Sequence, residues 1–303
     1  MIWQTSRFQI DLKVPKVMGI VNVTPDSFSD GGQHATTTAA LKHCDRLLHW
    51  GADILDIGGE SSRPGAVPLS LEEELARVLP VVAGAVKLDV PVSVDTYKPE
   101  VMQAVLDMGA DIINDIRALQ WWGNGDGSGE GNGGGAGPHL AIGPLPMQIV
   151  ARHPACGVCL MHMHRDPQSM QVMPMEGDVI PQVLSFWKQV ASDLTGLGVA
   201  TRRIVVDPGI GFGKTAKQNF ELLARQRELL AAGFPLLIGW SRKSSLAGAV
   251  STSLATVASM DPKDRMVPSV AAALLAVERG ASIVRVHDVR ETVQALRVLN
   301  AIK

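Results

Sequence analysis

Polar residues recur at the ends of short apolar runs in this chain: Asn22, Asp56, Asp95, Asn114 with Asp115, His162, Asp207, then Ser241, Arg242 and Lys243, and finally Arg285 with His287. Two chemistries are present among them. Asp95, Asn114 and Asp207 supply acceptors and an amide that both donates and accepts, which suits the edge of a nitrogen heterocycle with adjacent N–H groups. Arg63, Arg242, Lys243, Arg285 and His287 supply positive charge for an anion, most naturally a phosphate or diphosphate. Any one strand-end polar residue can equally cap a loop. It is the set that points to a site with a polar heterocycle at one end and phosphate at the other.

These residues need elements to carry them. Apolar runs at 16–21, 52–58, 90–95, 110–115, 157–163, 203–209, 234–241 and 281–288 read as strands buried on both faces, the mark of a parallel sheet. Helical patterns lie between them at 36–50, 70–86, 98–108, 147–153, 178–197, 217–231 and 268–278, with a last one at 291–301. Ser70 with Glu73 forms a capping box, and Gly51, Gly109 and Gly280 stand just past helix ends. Eight alternating units predict an α/β fold of the (β/α)8 TIM-barrel type as a single domain over 1–303, with its site at the C-terminal ends of the strands. An open doubly wound sheet is the alternative, but it would gather the polar groups at one switch point.

Composition narrows the class of function. With 28 Lys+Arg against 30 Asp+Glu, the charge of −2 lacks the basic surplus of a nucleic-acid binder. No apolar run is long enough for a membrane span. Three cysteines do not read as a disulfide framework, and the N-terminus has no signal-peptide pattern, so cytoplasmic residence is expected. Nine of the 30 glycines fall between Gly123 and Gly137, so the glycine excess is one insert, placed at 121–138.

Several near-matches carry less than they promise. The segment from Gly209 to Thr215, GIGFGKT, has Pro208 where a phosphate-binding loop needs its first glycine, and Lys214 where a dinucleotide fingerprint needs its third. Cys156 and Cys159 are expected to be buried thiols, because no second pair completes a zinc site. His162 and His164 are expected to be hydrogen-bonded strand-end residues, there being no third metal ligand nearby in sequence. Trp121 and Trp122 are expected to anchor the root of the insert.

The longer segments are specific. MGIVNVTPDSFSDGG (18–32) and DIGGESSRPGA (56–66) resemble the two signature motifs of the dihydropteroate synthases, and the resemblance continues through SVDTYKPEV, INDIRAL, LMHMHRDPQSMQ, DPGIGFGKT, GWSRKS and IVRVHDV. It implies a (β/α)8 barrel, usually a homodimer, of folate biosynthesis. The implied reaction is transfer of a pterinylmethyl group, in which 4-aminobenzoate displaces diphosphate from dihydropterin methyl diphosphate, with Mg²⁺ (EC 2.5.1.15). The resemblance casts Asp95, Asp207, Lys243 and Arg285 as catalytic. It gives the pterin diphosphate Ser62, Asp95, Asn114, Asp207, Lys243, Arg285, Val286 and His287. Asn22, Arg63, Arg285 and His287 fall on the diphosphate, Asn22 being also the metal-associated position. Ser62, Pro64, Phe212, Lys243 and Ser244 border the aminobenzoate, whose carboxylate is favoured by the start of the following helix.

Three positions depart from the family pattern. Ser62 stands where threonine is usual, Tyr97 where a small hydroxyl residue is often found, and Trp240 where a smaller apolar residue is usual; the last two are expected to reshape the site. Two other readings share the pterin carboxylates: a methyltransferase barrel serving a corrinoid partner, and a non-catalytic pterin-binding subunit. The R-P-G-A, S-R-K-S and R-V-H segments favour diphosphate chemistry. The glycine insert falls after the fourth strand, on the face that carries the chemistry, and is expected to contribute no fixed catalytic group.

Overall fold

The computed structural model describes residues 1–23, 32–61, 66–120, 145–167, 169–170, 172–250 and 260–302. A hairpin of β1 (Ile2–Gln4) and β2 (Gln9–Asp11) precedes the barrel strands β3 (Lys16–Asn22), β4 (Ile54–Gly58), β5 (Val92–Asp95), β6 (Ile112–Asp115), β7 (Gly157–Met161), β8 (Ile204–Asp207), β9 (Leu237–Ile238) and β10 (Ile283–Val286). All eight barrel strands pair in parallel, in the order β8-β7-β6-β5-β4-β3-β10-β9. A parallel bridge between Val206 and Leu236, with the Val206 N–H donating to the Pro235 carbonyl at 3.0 Å, brings the two edges together and closes the barrel.

Every expected strand is present. The hairpin was not anticipated, and it has a clear physical role. Trp3, Ile10 and Leu12 pack on Met18, Ile54, Ile112, Cys159, Val205, Leu237 and Ile283, which point inward from the strands. The Trp3 indole donates to the Arg203 carbonyl at 2.9 Å, so the one polar atom of this plug is satisfied. One residue along, Leu55, Ile113, Val158, Val206 and Val284 belong to the outer core against the helices.

That alternation places the site. Successive side chains of a strand face opposite ways, so the residue two beyond an inward apolar residue is inward again. Ile54 is thus followed by Asp56, Ile112 by Asn114, Val205 by Asp207, and Ile283 by Arg285. The polar residues form a layer stacked on the apolar plug. The same rule sends Val286 outward into the core beneath the helices, so only its backbone is available to a ligand.

The helices follow their signals. Ser70 and Glu73 form the capping box ahead of the helix Leu71–Ala85, and Gly51, Gly109 and Gly280 take φ of 99°, 101° and 98°. The pattern at 217–231 resolves into Ala216–Ala224, Gln226–Leu229 and a 3-10 turn. A short helix, Ser244–Val250, starts after Lys243. Among the described residues no helix is long and apolar enough to cross a membrane.

Candidate functional site

Asp56, Asp95, Asn114 and Arg285 meet in the polar layer. Arg285 donates through Nε to Asp56 at 2.6 Å and through a terminal nitrogen to Asp95 at 2.7 Å. The Asn114 amide nitrogen lies 3.3 and 3.4 Å from the two Asp56 oxygens. Asp56 is fully buried. Two carboxyl groups share one guanidinium, so a single positive charge faces both. Burial pushes Asp95 up to about 7, with Asp56, Asp115 and Glu74 adding to the shift and Arg285 opposing it. Asp207 is raised as well, chiefly by burial, against the Gly209 N–H that it accepts at 2.7 Å and the charges of Lys243 and Arg285.

Beyond Asp207 the chain turns tightly through Gly209, Gly211 and Gly213, with φ of 67°, 82° and 70°. The first and third are required by space as well as by torsion. A Cβ on Gly209 would lie 2.0 Å from the His162 carbonyl oxygen, and one on Gly213 would lie 2.5 Å from that of His164. Lys214 turns inward beneath this bend. Its Nζ sits 3.0 Å from Nδ1 of His162 and 3.3, 3.1 and 3.1 Å from the carbonyl oxygens of His162, Gly209 and Phe212. Burial lowers its pKa to about 7, Lys243 adding to the effect and Asp207 opposing it. His162 is held well below its ordinary value, first by burial and then by Lys214. It behaves as the expected hydrogen-bonded strand-end residue.

Phe212 leaves the turn to lie under Lys243, whose Nζ is 4.3 Å from the ring centroid. Next to Lys243, Arg242 makes a bidentate pair with Asp288 at 2.6 and 3.1 Å. The sequence groups Arg242 with the anion-binding cations; the structure commits it to that carboxylate instead. Ser241 lies against His287, which shares the inward parity of Arg285.

Tyr97 lies between the cations Arg117 and Lys98, 4.1 and 4.8 Å from its ring centroid, and donates its hydroxyl to Glu60 at 2.7 Å. Lys98 also bridges Glu60 and the buried Glu74. This network ties the loop that follows β4 to the end of β5, beside a pocket lined by Asp95, Ser61, Ala66, Pro68, Arg117 and Pro167. Trp240, by contrast, stacks on Phe220 at 5.3 Å within the outer core and does not narrow the site.

Asp95, Asn114, Asp207, Lys243, Arg285, His287 and Phe212 are thus placed around one mouth, with Asn22 at the end of β3 and Ser244 opening the next helix. Ser62, Arg63 and Pro64 lie outside the described residues, as do Trp121, Trp122, the glycine insert and most of the TPDSFSDGG loop. Asp56 is more central than its place among the strand ends suggests, and only strand parity reveals it. Glu60, Lys98 and Lys214 have no sequence signal of their own for these roles. All three cysteines are free and buried, as expected of Cys156 and Cys159.

Among the described residues no cluster of three His, Cys, Asp or Glu side chains is arranged to hold a metal. The Asn22 carboxamide is a single neutral oxygen donor at the mouth, which fits a Mg²⁺ ion carried mainly by substrate phosphates.

The chain is similar to known proteins of one family. The chain matches the pterin-binding enzyme family over residues 18–287. It is 44% identical over 304 residues to a dihydropteroate synthase of Neisseria meningitidis serogroup C, covering 99% of this chain and 97% of that one. A Xanthomonas albilineans dihydropteroate synthase solved with 4-aminobenzoic acid superposes with a TM-score of 0.83 at 41% identity, over 100% and 98% of the two chains. One from Burkholderia cenocepacia, complexed with 7,8-dihydropteroate, gives 0.81 at 43% identity, over 99% and 96%.

Proposed function

The chain belongs to the dihydropteroate synthase family of pterin-binding enzymes, and from that premise we propose which of its residues perform the condensation of 4-aminobenzoate with dihydropterin methyl diphosphate. The observation that carries the assignment is the layer in which Arg285 bridges Asp56 and Asp95 beside Asn114.

The pterin edge lies against Asp95, Asn114 and Asp207, where its N–H groups find charged acceptors. Breaking the carbon–oxygen bond leaves positive charge on the pterin methylene and negative charge on the departing diphosphate. The carboxylates stabilise the first. Arg285, His287 and Lys243 stabilise the second, and the family resemblance adds Arg63 to them. A guanidinium has five N–H donors, and the two carboxylates of the layer engage only two of its nitrogens, so Arg285 can serve both ends. When bound, Mg²⁺ supplies charge neutralisation on the diphosphate, with Asn22 as the protein oxygen beside it.

The aminobenzoate lies over Phe212, with its carboxylate towards Lys243 and Ser244; the family resemblance assigns Ser62 and Pro64 to the same substrate. Its amine is then aimed at the methylene, and no nucleophilic side chain is needed. Catalysis rests on positioning and electrostatics. The protein works as a single domain in the cytoplasm, consistent with its free buried cysteines. It works as a homodimer, for which the exposed Val267 and Leu275 of the helix Met266–Glu278 offer an apolar face.

Mixing the purified protein with 4-aminobenzoate, Mg²⁺ and the pterin diphosphate should release diphosphate and dihydropteroate in equal amounts. Pterin binding with no diphosphate release would point to the binding-subunit alternative.

A further inference from the structure

The strands β9 and β10 pair through Leu237 with Ile283 and Ile238 with Val284, and two further rungs continue past them into the site. In the first, Ser241 Oγ accepts the His287 backbone N–H at 3.1 Å and lies 3.0 Å from Nδ1 of the same histidine. In the second, Arg242, held at a φ of 59°, closes on Asp288. Ser241 is only 7% exposed, so water competes little for its hydroxyl.

A serine hydroxyl has one proton to give. The oxygen that accepts the main-chain N–H lies within reach to give its proton to Nδ1, and a neutral imidazole that accepts at Nδ1 carries its own proton on Nε2. We propose that Ser241 is a positioning residue that holds His287 as the Nε2–H tautomer, so that the ring presents a donor to the diphosphate oxygens. The Arg242–Asp288 pair is a second, separate link between the same two segments, and the His287 main-chain N–H holds the serine oxygen beside the ring without it. The partner on one ring nitrogen decides what the other offers, as in the outer shell of metal sites.

The inference rests on the reading that His287 faces the diphosphate, and its test separates the two ideas. In substrate-free protein labelled with ¹⁵N-histidine, at a pH where the ring is neutral, His287 should show a bare Nδ1 and a protonated Nε2. Ser241→Ala should give a mixture of tautomers, whereas Arg242→Met, which keeps the hydroxyl, should retain the single form. In Ser241→Ala the dissociation constant for inorganic diphosphate and the KM for the pterin diphosphate should rise about three- to tenfold, the value of one hydrogen bond. The KM for aminobenzoate should stay within about twofold. An unchanged His287 spectrum in Ser241→Ala, or equal rises in both KM values, overturns the proposal. A protein that shows the expected spectra but catalyses no condensation counts against the functional reading alone.

Discussion

Arg285, partly buried, and Lys214, fully buried, stand at the mouth of the same barrel, yet their surroundings differ in kind. Arg285 is met by two carboxylates, Asp56 and Asp95. Lys214 is met by three carbonyl dipoles and an imidazole nitrogen. Full charges hold the guanidinium ionised and raise its pKa still further. Neither the dipoles nor the charge of Asp207 offsets desolvation of the ammonium, whose pKa falls to about 7. The first region is built to act on ligand charge. The second is built to hold a strained turn in shape, and the lysine of the GFGKT segment serves the backbone rather than a phosphate.

The comparison is most severely tested by removing the charges of the first region. Arg285→Ala should lower kcat/KM by on the order of 100-fold or more while far-UV circular dichroism stays native, because the residue acts on developing charge. Next comes Gly209→Ala, which forces a Cβ against the His162 carbonyl in a left-handed bend. It should cost about 3 kcal/mol or more in urea unfolding, and because the Gly209 N–H holds Asp207, the protein that does fold should also bind the pterin more weakly. Lys214→Met, which strands the caged carbonyls, should cost about 2–3 kcal/mol. Its larger kinetic effect should be on the KM for aminobenzoate, since Phe212 sits on the released turn.

The smallest effect is on pH dependence, and it has opposite signs in the two regions. An unfolded lysine keeps its proton to about pH 10, whereas folded Lys214 releases it near 7. Between those values the unfolded chain binds the extra proton, so this group's contribution to stability grows as pH rises above 7 and is lost as pH falls through 7. Asp95 is raised from about 4 to about 7, so the folded chain binds the extra proton there and its contribution falls as pH rises across that window. Urea midpoints of the unmodified protein and Lys214→Met, compared at pH 7 and pH 9, should diverge at the higher pH.

Much of the first region was legible in the sequence, because strand parity and residue type act over two or three positions. Asp95, Asn114, Asp207 and Arg285 each stand at the end of an apolar run, and their inward direction follows from the residue two before. The second region was not legible. The contacts of Lys214 with His162 span 52 positions, and they exist because β7 and β8 are neighbours in the closed barrel. The same holds for the Trp3 plug and for the links from Glu60 to Tyr97 and Lys98, where partners are brought together by closure and loop geometry. Arg242 marks the limit of reading by residue type. Its charge was legible, but its commitment to Asp288, 46 positions away, was not.

The central claim is that the carboxylate layer, not the lysine-caged turn, binds the pterin. Equilibrium binding of a dihydropterin, followed by fluorescence at pH 8, tests it in Asp95→Asn and in Lys214→Met side by side. Asp95→Asn should lose most of its affinity while remaining folded, and Lys214→Met should bind within a few-fold of the unmodified protein. Undiminished binding by Asp95→Asn would contradict the account.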